Sequence, residues 1–314
     1  MPFNAKSGKF KASIKEVEIG TGAKAIKLGG ENILPFYTFD GPMANAPKIG
    51  VEIDDIGLAE ETSTGVKEFY AGCETVVDMA KKAAEMPGAD FICIRFKSAD
   101  PNGQDAPIEQ CAELAKAVAD AVDVPLAFMG CQNDEKDADL LVKVAEAVEG
   151  KNVLILSAKE ANYKTIGMSA VQAYHHKVAA ESAVDINLAK QVNVLMSQLG
   201  VASDSICMHV GTAAAGYGYE YVATTMDRTK AAALAQNDNM LQMPFVTPVS
   251  TETYNCKECI ASEEDFPEWG SRETRIIDME VVTAAADIAS GSNAVILKNP
   301  VSVVTIKKMI DELM

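Results

Sequence analysis

Short runs of consecutive apolar residues alternate along this chain with longer stretches whose apolar positions recur at helical spacing. Residues 49–53, 91–96, 124–129 and 153–156 open the series of runs. Their apolarity on both faces, with many β-branched side chains, is the pattern of parallel strands covered on both sides. Four more candidates follow at residues 178–184, 205–210, 243–246 and 294–297. The first of these, with Glu181 and Ser182 inside it, is the least apolar.

Between the runs the period changes. Leu141, Val144, Ala145 and Val148 fall at i, i+3, i+4 and i+7, and Leu188, Val192, Leu195 and Leu199 repeat at four, three and four. Each set marks one buried helical stripe. Asp185 and Ser302 stand where N-caps are expected, and Gly150 and Gly200 where helices stop. Asp134, Glu135 and Asp137 favour the positive end of a helix dipole.

Eight strand–helix units joined by right-handed crossovers close most comfortably into a (β/α)8 barrel, expected over residues 48–314, with a last helix at 302–313. Ahead of it, residues 13–19 and 24–28 alternate in period two around Gly20-Thr21-Gly22, which predicts a β-hairpin. The hairpin and an irregular connector at 35–47 make residues 1–47 an N-terminal extension. An acidic, aromatic loop at 252–272 interrupts the seventh strand–helix unit.

Composition narrows the function classes. With 48% apolar and 23% charged residues, the 314-residue chain is an ordinary globular protein able to bury a large core. Its net charge of −17 repels phosphate backbones and anionic lipid, so nucleic acid and membrane surfaces are excluded as partners. No run approaches the ~20 apolar residues that cross a bilayer, and the opening residues MPFNAKSGKFKAS have no signal-peptide block, so a cytoplasmic location is expected. Seven scattered cysteines in such a chain read as reduced thiols.

Chemistry in this fold gathers at the C-terminal ends of the strands. Those ends carry Asp54 and Asp55, Lys97, Gln132 and Asn133, Ser157 and Lys159, Gly211 and Thr212, Thr247 and Ser250, and Lys298 and Asn299. Asp54-Asp55 has acid–base chemistry, yet adjacent side chains point apart and a loop aspartate commonly caps a helix. Asn133 equally reads as a plain N-cap. Cys256 and Cys259 have the spacing of half a zinc or iron–sulfur site, and no second CxxC follows. Gly211 to Gly218 lacks the Lys-Ser/Thr of a nucleotide loop; its small surface suits a turn, a planar ligand or a docked protein. His175 and His176 close a helix and read as structural; His209 sits near the rim, as a site residue or a buried structural one; Met168 and Tyr174 read as core. No decisive catalytic set emerges.

Longer stretches are more specific: residues 40–53 (DGPMANAPKIGVEI), 185–191 (DINLAKQ), 211–221, 247–256 (TPVSTETYNC) and 293–300 (NAVILKNP). Together they resemble the small subunits of corrinoid iron–sulfur proteins of the reductive acetyl-CoA (Wood–Ljungdahl) pathway, also called acetyl-CoA decarbonylase/synthase delta subunits. The resemblance implies a heterodimer whose large subunit holds a 4Fe–4S cluster and a corrinoid-binding domain, while this barrel covers the corrinoid (cobamide) from the other side. It also implies a methyltetrahydrofolate methyltransferase and an acetyl-CoA synthase as partners, with methyl transfer on cobalt rather than catalysis by this chain. A macrocycle over the C-terminal rim would face Asp54, Asn133, Gly211, Thr212, Lys298 and Asn299. The rival expectation is a free-standing methyltransferase with a pterin in the mouth, held by Asp54 and Asn133.

Overall fold

The computed structural model describes residues 8–60 and 62–314. The first seven residues of the expected extension lie outside the described residues. A short antiparallel hairpin, β1 (Val17–Ile19) and β2 (Ile26–Leu28), comes first. It is followed by β3 (Lys48–Asp54), α1 (Thr64–Phe69), α2 (Val76–Ala83), β4 (Phe91–Arg95), α3 (Ile108–Ala121), β5 (Leu126–Met129) and α4 (Asp134–Ala147). Next come β6 (Leu154–Ala158), α5 (Tyr163–Ile166) running into a π-helical turn (Gly167–Ala173), β7 (Lys177–Glu181), α6 (Ile186–Gln198), β8 (Ile206–His209) and α7 (Tyr219–Ala235). The chain closes with β9 (Phe245–Thr247), α8 (Val249–Thr253), α9 (Lys257–Ile260), α10 (Arg272–Ala289), β10 (Ser292–Leu297) and α11 (Pro300–Leu313). Strands β3 to β10 form a closed parallel barrel in chain order, with β10 pairing back onto β3.

Each barrel strand divides its side chains between two cores. Ile49, Val51, Ile92, Ile94, Phe128, Ile155, Val178 and Met208 point outward and pack under the helices. Their neighbours Phe91, Cys93, Ala127, Leu154, Ala179, Cys207 and Ala294 point inward. Both faces are apolar because both are covered, which is why the strands read as continuous rather than alternating runs. Gly50 is dictated by this inner packing: a β-carbon there would sit 2.4 Å from the Phe91 ring.

Ala127, Ala179, Cys207 and Ala294 keep much of the inner face small beside Phe91 and Leu154, and the hairpin packs against it. Val17, Ile19, Ile26 and Leu28 join the inner core as a floor plug. Backbone bonds tie the plug down, from Gly20 N to Asn152 O (2.8 Å) and Lys15 N to Gln242 O (2.7 Å). Below it, Lys230 on α7 donates to Glu31 (2.6 Å) and to Asn293 Oδ1 (3.1 Å), and the ammonium and the Glu31 carboxylate are both buried.

Several local expectations are corrected. The N-cap of α11 is Asn299, whose Oδ1 accepts from Val301 N at 2.9 Å; Ser302 lies inside the helix and is fully buried. Pro300 explains the shift, since its fixed φ suits the first helical position and leaves the preceding residue as the cap. Asp185 caps α6 as expected, accepting from Asn187 N and Leu188 N. The buried stripe of α6, however, is Ala189, Val192, Asn193 and Met196, with Leu188, Leu195 and Leu199 only half-buried beside it. Met168 is 51% exposed rather than core, because the π turn rotates Ala170 and Val171 inward instead. His176 is structural, as expected: its ring is buried, Nδ1 accepts from Val153 N (3.3 Å), Nε2 lies 2.9 Å from Ala145 O, and burial lowers its pKa.

Candidate functional site

Moving up each strand from the floor, the inward positions change from apolar to charged. Glu52 and Asp54 on β3, Arg95 on β4, Glu181 on β7, His209 on β8 and Lys298 after β10 line the mouth. Lys298 Nζ reaches Glu52 Oε1 at 2.8 Å and Asp54 Oδ2 at 2.9 Å, and Lys97 adds a bond to Asp54 at 3.0 Å. Arg95 stands 3.9 Å from Glu52 and donates to Gln132 at 3.1 Å. Burial alone would raise the Glu52 pKa, but Lys298 and Arg95 outweigh it and hold the carboxyl well below the ordinary range. Burial works against Lys298 as well, and Glu52 and Asp54 overcome it to keep the ammonium charged.

The short helix α8 lies across this network and divides the mouth. Its Ser250 donates to Glu52 Oε2 at 2.6 Å, and Val249, Ser250, Thr251 and Thr253 are buried. On the β3 side is a hollow of about 520 Å³, floored by Glu52, Asp54, Lys97 and Lys298 and walled by Ile56, Leu58, Val66 and Ile260. On the β5 to β9 side is a cavity of about 270 Å³ lined by Gln132, Ser157, Lys159, Glu181, His209, Gly211, Thr212 and Glu252. His209 is 9% exposed, and its Nδ1 finds no partner among the described residues; neither does Thr212 Oγ1. Burial, with Lys159 nearby, lowers the His209 pKa against the pull of Glu181, so the ring is neutral.

The sequence-predicted residues therefore fall into separate places. Asp54 and Lys298 meet in one hollow, and Gly211 and Thr212 line the other. Asp55 points away from Asp54 and accepts from Ser98 N (2.9 Å) and Ser98 Oγ, which fixes the loop after β4. Asn133 caps α4 by accepting from Lys136 N at 3.0 Å. Asn299 is fully buried, its amide donating to Glu273 at 2.7 Å. Thr247 is bonded to Ser292 at 2.9 Å. Lys159 bonds Asp134 at 2.8 Å and approaches Glu181 at 3.6 Å.

Glu52, Arg95 and Glu181 were missed by reading only the residues after each strand. Their signal was in the runs themselves: each is a charge two or four positions beyond an inward floor residue, Gly50, Phe91 or Ala179. Cys256 and Cys259 are buried against Ala214 and Ile276, and burial pushes their thiols up to about 11 and about 12. Among the described residues no group of three or more His, Cys, Asp and Glu is placed to hold a metal ion. Beside the mouth, on the segments that follow β3, β7, β8 and β9, Ile56, Leu58, Val184, Tyr217, Tyr221 and Ile260 stand exposed.

A parallel barrel plugged at its floor and open at a polar, internally paired mouth defines the class, an α/β barrel protein. The same fold occurs in a dihydropteroate synthase of Yersinia pestis, solved with a pterin–sulfa conjugate (11% identity, TM-score 0.57, 85% of this chain and 93% of that one). It also occurs in the Xanthomonas albilineans synthase with 4-aminobenzoic acid (12% identity, TM-score 0.54, 87% and 94%). At such identities the likeness establishes the fold alone.

The chain belongs to the CO dehydrogenase/acetyl-CoA synthase delta subunit family, whose sequence profile matches residues 16–294. Subunit delta 2 of the acetyl-CoA decarbonylase/synthase complex of Methanosarcina acetivorans is 35% identical, over 97% of this chain and 72% of its own length. The delta subunit of Methanocaldococcus jannaschii is 32% identical over 96% of this chain and 74% of its own. No helix among the described residues is long and apolar enough to cross a membrane.

Proposed function

We propose that this chain is the small subunit of a cytoplasmic corrinoid iron–sulfur methyl carrier, and that its barrel mouth closes over a corrinoid held by a large subunit. The observation that carries the reading is the set of exposed apolar side chains Ile56, Leu58, Val184, Tyr217, Tyr221 and Ile260 beside a polar mouth. Exposed apolar groups bordering a polar opening are a kind of surface that a partner covers.

The residues present fit such a ligand. Gly211 and Gly216 both have left-handed φ, and a β-carbon on Gly216 would meet nothing within 4 Å, so the loop after β8 offers a flat, small-residue face. His209 and Thr212 keep hydrogen-bonding capacity unspent beneath it. When bound, the corrinoid would supply the cobalt chemistry of methyl transfer. The residues of this chain exclude water, seat the macrocycle and present a docking rim. Asp54, Lys298, Gly211 and Thr212 form the corrinoid-facing set. Asn133 and Asn299 serve it indirectly, by capping the helices that fix the neighbouring loops.

The family supports the assignment through relatives named as subunits of the acetyl-CoA decarbonylase/synthase complex. The 4Fe–4S cluster then belongs to the large subunit, and a methyltetrahydrofolate methyltransferase and an acetyl-CoA synthase take turns at the carrier. A free-standing pterin methyltransferase is disfavoured at Asn133, whose Oδ1 is committed to a helix cap.

Co-expression with the large subunit tests the reading. A corrinoid absorption spectrum is expected in the complex and absent or much weaker in this chain alone. Tight corrinoid retention by the single chain, or its turnover of methyltetrahydrofolate with added cobalamin, would overturn it.

A further inference from the structure

We infer that the cavity between β5 and β9 is a subsite for a primary carboxamide. Its lining is a specific mixture of donors and acceptors. His209, buried and neutral, offers one N–H and one bare nitrogen, and its Nδ1 is unpartnered among the described residues. Thr212 Oγ1 is likewise buried without a partner. Across the cavity, the Glu181 carboxylate accepts from Ser157 and lies 3.6 Å from Lys159, and Glu252 on α8 is half-buried.

Charge narrows the ligand. Glu181, Glu252 and Asp134 repel an anion, and Lys159 already occupies the place a cation would take between Asp134 and Glu181. A neutral group that both donates and accepts is left. A hydroxyl has one proton to give, whereas a carboxamide has two N–H donors for the carboxylates and an oxygen with two lone pairs for Thr212 and His209. The volume, about 270 Å³, corresponds to roughly nine waters at liquid density and admits a short amide-bearing arm.

Two sources share this chemistry: a free small amide, and one of the carboxamide arms at the edge of a corrin ring. The second rests on the proposed function and makes the cavity the register pin of the macrocycle on the barrel.

The test has two arms. In the first, acetamide is titrated onto the full chain alone while the His209 ring nitrogens are followed by NMR. A saturable shift that is lost in Thr212→Val is expected; no shift in the unsubstituted protein overturns the inference without relying on any variant. In the second, the heterodimer is loaded with cobinamide or with its analogue in which methyl esters replace the amides. Thr212→Val is expected to reduce the preference for the amide form over the ester about ten-fold. An unchanged preference, with the acetamide shift present, assigns the site to a free amide. Failure of the heterodimer to take up any corrinoid, with the acetamide shift intact, contradicts the proposed function and leaves the subsite standing.

Discussion

Lys298 Nζ stands 2.8 Å from Glu52 Oε1 at the centre of the barrel mouth, joining the end of β10 to the middle of β3 with a carboxylate that has no exposed surface. A charge so deeply buried is tolerable only while it is paired. Lys298→Met is therefore expected to destabilise the fold by about 3–5 kcal/mol, measured as a fall in the urea midpoint. Adding Glu52→Gln to the same chain should restore most of that loss, since the stranded charge is then removed. A double variant no more stable than the single one would contradict the pairing.

The floor plug makes a second expectation. Truncating Ile19 to alanine empties part of the inner core at a cost of about 2–4 kcal/mol, and Glu31→Ala leaves the Lys230 ammonium buried without its partner. Both should speed amide exchange in the hairpin and lower the thermal midpoint. Gly50→Ala tests the same core from β3. A new methyl 2.4 Å from the Phe91 ring should destabilise by about 1–3 kcal/mol, and Phe91→Leu should recover part of it.

Stability should also fall with pH. Burial raises Glu280 to about 7, against the bonds it accepts from Lys298 N and Asn299 N. The folded state thus holds this proton more tightly than the unfolded chain, whose carboxyl titrates at the ordinary 4.5. The stabilisation is full below that value and is lost as pH rises through the folded value of about 7. Between pH 5 and pH 8 the loss reaches up to ~3 kcal/mol. Melting curves of Glu280→Gln should be flatter over this interval than those of the unsubstituted chain. Asp287, buried on the same helix and shifted the same way by burial, keeps the variant from being wholly flat.

The barrel was legible because strands covered on both faces leave an unambiguous trace, and all eight runs lie in the closed sheet. Strand ends were less so. Residues 124 and 243 look apolar enough to begin strands, yet the ladders start at Leu126 and Phe245, each just after a proline that cannot donate. Ser302 was a plausible cap by residue type alone; Asn299 won because of Pro300. The mouth was half legible. Residues after each strand are visible as polar punctuation, whereas Glu52 and Arg95 are hidden inside apolar runs and emerge only once the inward register is known. Nothing local marks α8 as the element that divides the mouth, since its role comes from a contact spanning 198 positions, Ser250 to Glu52.

Hydrogen–deuterium exchange on the heterodimer with and without corrinoid tests most directly the proposal that the corrinoid meets the C-terminal rim of the barrel. Corrinoid-dependent protection is expected at the C-terminal rim, in residues 211–218 after β8 and 254–260 after α8. Protection confined to the opposite end, in the β1–β2 hairpin and around the exposed Tyr37 and Phe39 of the connector, would contradict it.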